Sequence, residues 1–111
     1  TLTLNATTPG TGQWADGAKN YKYNGSAAEG RLTVDPSTGT ITPVVGTATG
    51  VSKGSAASFA GTNPVTLMSA AASSDDVWNG YITGIKLTQD IPAGQQAGVY
   101  TLPMTQTVTA I

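Results

Sequence analysis

The chain has 111 residues, a formal net charge of −1 and only 10% charged residues, enough for one domain (1–111) and too little for two independent cores. Its five basic residues, Lys19, Lys22, Arg31, Lys53 and Lys86, stand singly, which excludes the basic stripe a nucleic-acid binder needs. Histidine and cysteine are absent, which removes the usual zinc ligands, a thiol nucleophile and the commonest general base.

In chain order, residues 1–7 alternate, with Leu2, Leu4 and Ala6 on one face and Thr or Asn on the other. That pattern predicts a half-buried strand, ended by Pro9 to Gly12. Residues 13–30 are polar and aromatic; Tyr21 and Tyr23 share a face, and Asn24-Gly25 signals a turn. Arg31 to Val34 reads as a short strand. Asp35-Pro36-Ser37-Thr38-Gly39 supplies turn chemistry, and Thr40-Ile41-Thr42 begins the return, so a hairpin is expected here.

Residues 46–63 are small and polar around Phe59 and predict a long loop with a weak edge strand. Val65 to Met68 is another strand. Ala70 to Asp76 is the one candidate helical turn, capped by Ser69, and it is short. Gly80 to Gln89 predicts a strand with Tyr81, Ile85 and Leu87 on one face, turned by Asp90 to Gly94. The last strand, Val99 to Ala110, places Tyr100, Leu102, Met104 and Val108 toward the core and threonines on most of the other face.

These six or seven strands at about ten-residue spacing predict an all-β fold, an immunoglobulin-like β-sandwich. Nineteen threonines suit strands, and 14 glycines and six prolines supply turns. Fifteen of the apolar residues are alanine, so the core is expected to be thin, as between two small sheets. No apolar run approaches the ~18 residues of a membrane span. No charged-then-apolar leader opens the sequence, which reads as a mature or trimmed form.

Little chemistry is offered. Asp75-Asp76 beside Trp78 is the one adjacent carboxylate pair; it fits a sugar site or a calcium site, and equally a solvated loop before a strand. Trp14 and Trp78 are candidate ligand contacts, since an exposed indole stacks on a sugar ring or anchors a partner. Either can instead supply core area, the commoner role in a chain short of large aliphatics. No enzyme activity, metal or cofactor is expected.

Ile91-Pro92-Ala93-Gly94, followed by Ala97-Gly98-Val99-Tyr100-Thr101-Leu102 and an alternating Thr/Val tail, resembles the end of bacterial fimbrial subunits of the chaperone–usher type. The alternating start followed by Trp14 is similar to cysteine-free members. Together these ends cover about 35 residues. The family's penultimate aromatic is missing, since the chain ends Thr109-Ala110-Ile111, and so is its frequent disulfide.

The resemblance implies a structural subunit of an extracellular fimbria, mediating adhesion or biofilm and polymerising by donation of a strand between neighbours. Its implied partners are identical or related subunits, a periplasmic chaperone and an usher, with a host receptor or glycan as a further partner. Groove and polymerisation candidates are then Leu2, Leu4, Ala6, Tyr100, Leu102, Met104 and Val108. Residues 1–8 are either a donor strand or the first strand of their own domain. Two other readings fit the composition: a monomeric carbohydrate- or host-binding sandwich module, and a virion decoration or tail protein.

Overall fold

A computed structural model describes residues 1–6, 13–75 and 78–109. These form eleven strands: β1 (Leu2–Ala6), β2 (Gln13–Asp16), β3 (Lys19–Lys22), β4 (Arg31–Asp35), β5 (Thr40–Val45), β6 (Val51–Lys53), β7 (Ala57–Ser58), β8 (Val65–Ala70), β9 (Asn79–Thr83), β10 (Lys86–Asp90) and β11 (Met104–Val108). A four-stranded sheet runs β11-β1-β8-β6, a three-stranded sheet runs β10-β4-β7, and β2-β3 and β5-β9 are two-stranded ribbons. Every pairing is antiparallel. The fold is all-β and sandwich-like. Among the described residues no helix is long and apolar enough to cross a membrane.

Two-residue alternation builds the core. Leu4 and Ala6 of β1 and Val65 and Leu67 of β8 are buried from one sheet, Leu32 and Val34 of β4 from the other. Tyr23, Phe59 and Leu102 fill the remaining space from connecting segments. The Tyr23 and Phe59 rings meet edge to face, centroids 5.6 Å apart. Backbone bonds hold both segments against β4: Leu32 N–H donates to Tyr23 O at 2.7 Å and Phe59 N–H to Leu32 O at 3.1 Å. No strongly polar or charged residue is buried in the described chain, which fits a thin core that offers few partners for one.

The expected hairpin at Asp35–Gly39 is not one. β4 pairs with β10 and β5 pairs with β9, so residues 31–45 run as one offset strand beside residues 79–90. Pro36–Thr38 form a 3-10 turn between β4 and β5. The Asp35 carboxylate accepts from Ser37 N at 3.0 Å, and Gly39 N–H donates to Pro36 O at 2.9 Å. One tight turn of this kind steps the chain sideways and lets it continue, because Pro fixes φ and the Asp cap satisfies the turn's own donor. The partner run is offset at the same level: Gly84, at φ 78°, breaks it, and its carbonyl accepts from Thr38 Oγ1 at 2.8 Å. Lys53 Nζ then caps the step by donating to Ser37 O and Gly39 O at 3.0 and 2.9 Å.

This double run gives the molecule its length. Its extents are 49 × 24 × 23 Å with a radius of gyration of 16.1 Å, against about 13 Å for a compact chain of this size. The β5-β9 ribbon is largely solvent-facing, with Val44, Val45 and Tyr81 exposed.

Other expectations shift locally. Gly80 to Gln89 is two strands, not one. The step at Gly84 leaves Ile85 packed on the core, whereas Tyr81 and Leu87 are 51% and 58% exposed. Ala70 ends β8 and residues 72–74 turn without helix; Asp76 lies outside the described residues, as do Pro9 to Gly12. The stretch 46–63 contains two short strands, β6 and β7. Pro103 precedes β11, so the final strand is spared a proline.

Candidate functional site

The final strand is an edge. β11 is paired to β1 in unbroken register from Leu2↔Val108 to Ala6↔Met104, and no described strand pairs with its other side. Directly opposed residues of an antiparallel pair share a face, so Met104, Gln106 and Val108 lie on the same side as Leu2, Leu4 and Ala6. That is the inner face, as alternation predicted. Burial does not follow: all five β11 residues are exposed, Met104 at 36% and Val108 at 80%. The opposing three-stranded sheet covers β1 but not the strand outside it. Of the other two residues expected to face the core, Leu102 is buried, and Tyr100 is half-buried and outside the strand. Lysine, proline and bulges, the usual means of blunting an edge, are absent along Met104–Val108.

An apolar groove of about 370 Å³ opens at the Val108 end of this edge, lined by Leu2, Val51, Met68, Trp78 and Val108 among others. Trp78 is half-buried in this wall and not part of the core. Its indole Nε1 is shielded from solvent and has no hydrogen-bond partner among the described residues. Gly80 makes room for the indole, since a Cβ there would come within 2.6 Å of the ring. Asp75, at the rim, accepts from Thr47 N at 2.6 Å and Thr47 Oγ1 at 3.0 Å, which fixes the loop before β6. Asp76 lies outside the described residues, and among those described no three potential ligands gather to hold a metal.

A second hollow, about 400 Å³, is formed by Tyr21, Ile91, Gln95, Gln96, Gly98 and Tyr100 with Ala97. Trp14 stands behind it. Its indole Nε1 donates to Gln89 Oε1 at 2.8 Å, and its ring stacks on Tyr21 at 6.2 Å and 23°. Tyr21 in turn meets Tyr100 at 5.0 Å and 60°. The Tyr100 hydroxyl donates to Gln96 O and accepts from Gln95 Nε2, both at 2.7 Å. Burial raises the pKa of Tyr21, with the Tyr100 phenol beside it adding to the shift.

The loop carrying these groups is clamped to the β2-β3 ribbon. Asp16 Oδ2 accepts from Lys19 Nζ at 3.0 Å and from Val99 N at 3.1 Å, and Lys19 Nζ also donates to Ala97 O at 2.8 Å. The Lys19 ammonium, then the Val99 amide, hold the Asp16 carboxyl below the usual aspartate range. Gly98 permits this approach, because a Cβ there would overlap the Asp16 carboxylate. A backbone bridge Ala15↔Thr101 closes the clamp.

The structure therefore brings Leu2 and Val108 together at the groove and sends Leu4, Ala6 and Leu102 into the core. Met104 stands opposite Ala6 but is exposed, Tyr100 lies outside the strand beside Tyr21, and the two tryptophans occupy different sites. Tyr21, Gln95 and Gln96 were not singled out from the sequence. The adjacent Gln95-Gln96 after Ile91-Pro92-Ala93-Gly94 is polar loop composition, and its meeting with Tyr21 is a tertiary event. No family model matches the chain, and no curated protein or solved structure matches it.

Proposed function

We propose that this chain is a structural subunit of an extracellular fibre, a fimbria or pilus, that assembles by adding a strand from a neighbouring subunit to the edge of β11. The observation that carries the reading is the unblunted β11 edge beside the apolar groove of Leu2, Met68, Trp78 and Val108. An added strand finds the side of β11 that no other described strand pairs, and an apolar side chain from it finds the groove. Each such side chain that goes fully into apolar surroundings contributes about 1.5–3 kcal/mol. An elongated, sparsely charged, threonine-rich body suits repeated end-to-end or side-to-side packing. Related subunits, a chaperone that covers the edge before export, and an usher are the partners this mode of assembly calls for, with adhesion as its outcome.

Residues 2–6 occupy the interior of the chain's own sheet, between β11 and β8, which favours them as the first strand of their own domain over a donated one. The donor in this reading is a strand of a second subunit. Size-exclusion chromatography with negative-stain imaging tests it. Concentration-dependent ladders or filaments are expected, suppressed by Gln106→Pro, which removes a backbone donor from β11. A parent chain that stays monomeric at high concentration overturns the proposal.

A further inference from the structure

The hollow between Tyr21 and Tyr100 has the chemistry of a sugar site, and we propose that it binds an uncharged hexopyranoside. The inference is independent of how the chain assembles.

A pyranose presents an apolar face of C–H groups and a rim of hydroxyls that both donate and accept. Binding it takes a half-exposed aromatic ring for the face and neutral amides for the rim. Tyr21 and Tyr100 are each half-buried and tilted 60° at 5.0 Å, so they form a corner in which one ring takes the face and the other the edge of a sugar. Both rings are held before any ligand arrives. Trp14 backs Tyr21, itself fixed by Gln89, and two 2.7 Å bonds hold the Tyr100 hydroxyl. Fixed platforms lower the ordering cost of binding.

The rim groups converge on the same space. Gln95 spends its Nε2 on Tyr100 and keeps its Oε1 as an acceptor. Gln96 lines the hollow and is exposed, and a glutamine amide offers both donor and acceptor. None of the lining residues is charged, and the nearby Asp16 and Lys19 neutralise each other across 3.0 Å. The site therefore selects a neutral sugar over a sialic or uronic acid. The hollow, about 400 Å³, is open to solvent, so a sugar bound there keeps one side in water. Both rings stay half-exposed at the hollow with two glutamines lining it, which packing of the rings on each other does not require.

Saturation-transfer NMR with methyl β-D-glucopyranoside, methyl β-D-galactopyranoside and methyl α-D-mannopyranoside, each at millimolar concentration, tests the site. Transfer to the C–H protons of one face is expected for at least one probe. It should persist in Tyr81→Ala, which removes an exposed tyrosine of β9. Tyr100→Ala and Gln96→Ala should each weaken it about fivefold or more, the scale of one lost aromatic or hydrogen-bonding contact. Gln96 is exposed, so that variant keeps its fold and decides the matter even if Tyr100→Ala does not. No transfer from any of the three probes, or transfer from folded Gln96→Ala equal to that of the parent, overturns the proposal.

Discussion

The phenol hydroxyl of Tyr23 donates a 2.9 Å hydrogen bond to the carbonyl of Ala6 inside the core. It ties the segment after β3 to the end of β1. Both partners are buried, Tyr23 at 5% and Ala6 at 2% exposure. Tyr23→Phe keeps the ring and its contact with Phe59 but leaves the Ala6 carbonyl unpaired. A loss of about 1–2 kcal/mol is expected, the cost of a buried hydrogen bond with one partner orphaned. Urea denaturation should show a lower midpoint with an unchanged slope.

Leu102 and Val108 were expected to play the same part, and the structure separates them. Leu102→Asp places a charge in the apolar core at a position only 7% exposed, so the native fold should be lost. Val108→Lys alters a side chain that is 80% exposed; folding stability should change by less than about 0.5 kcal/mol. If the proposed function holds, its effect belongs to assembly, because a lysine at an open edge resists strand addition. Thermal melts and sedimentation on the two variants separate these outcomes. A Val108→Lys chain that assembles like the parent would count against the β11 edge as the contact.

Asp16 makes the loop at Ala97–Val99 sensitive to acid. Its folded pKa is depressed, so its contribution is complete above the ordinary aspartate value of about 3.9. It is lost as pH falls through the lowered folded value. The group lies at the surface, half-buried against the loop it holds, so the effect should be local. The amide resonance of Val99, which donates to Asp16, should hold steady through neutral pH and shift only in strong acid. In Asp16→Asn it should take a new position at every pH, and the step in acid should vanish.

Gly54 sits where two backbones nearly touch. Its N–H donates to Leu67 O at 2.9 Å, and a Cβ would overlap the carbonyl of Thr66. Backbone cannot swing aside as a side chain can, so β6 and β8 would have to part. Gly54→Ala should therefore destabilise by about 2 kcal/mol or more, at the upper end for a single substitution. Gly61→Ala is the control: nothing lies within 4 Å of its added methyl, and its melting temperature should match the parent's.

Alternation made much of the fold legible. The inward face of β1 is the one the sequence pattern assigns, with Leu4 and Ala6 buried, and the strands expected at 31–34 and 65–68 are β4 and β8. Where reading failed, the missing information was about partners. Asp35-Pro36-Ser37-Thr38-Gly39 has the composition of a reversal, yet the same residues cap a 3-10 step when a second run, 79–90, lies alongside with its own break at Gly84. Turn chemistry specifies local dihedrals; the direction of the chain afterwards depends on what it can pair with.

The candidate sites divide in the same way. Leu2 and Val108 stand out in the sequence as apolar members of alternating strands, and their pairing at the groove follows once β1 and β11 are neighbours. Trp78 is ambiguous by type, because an indole serves core and surface equally well. Gln96 carried no pattern at all, since a loop residue has no periodicity to read, and the alternation of Tyr21 with Tyr23 says nothing of Tyr100 as its neighbour.

By itself the sequence determined that this protein is all-β, thin-cored, sparse in charge and without histidine or cysteine, because composition and two-residue periodicity act through each strand alone. Only the tertiary structure decided that the inner face of β11 stays open to water, and that Tyr21 and Tyr100 meet. Periodicity gives a side chain its face, but burial requires a second sheet that reaches over it, and the three-stranded sheet stops short of β11.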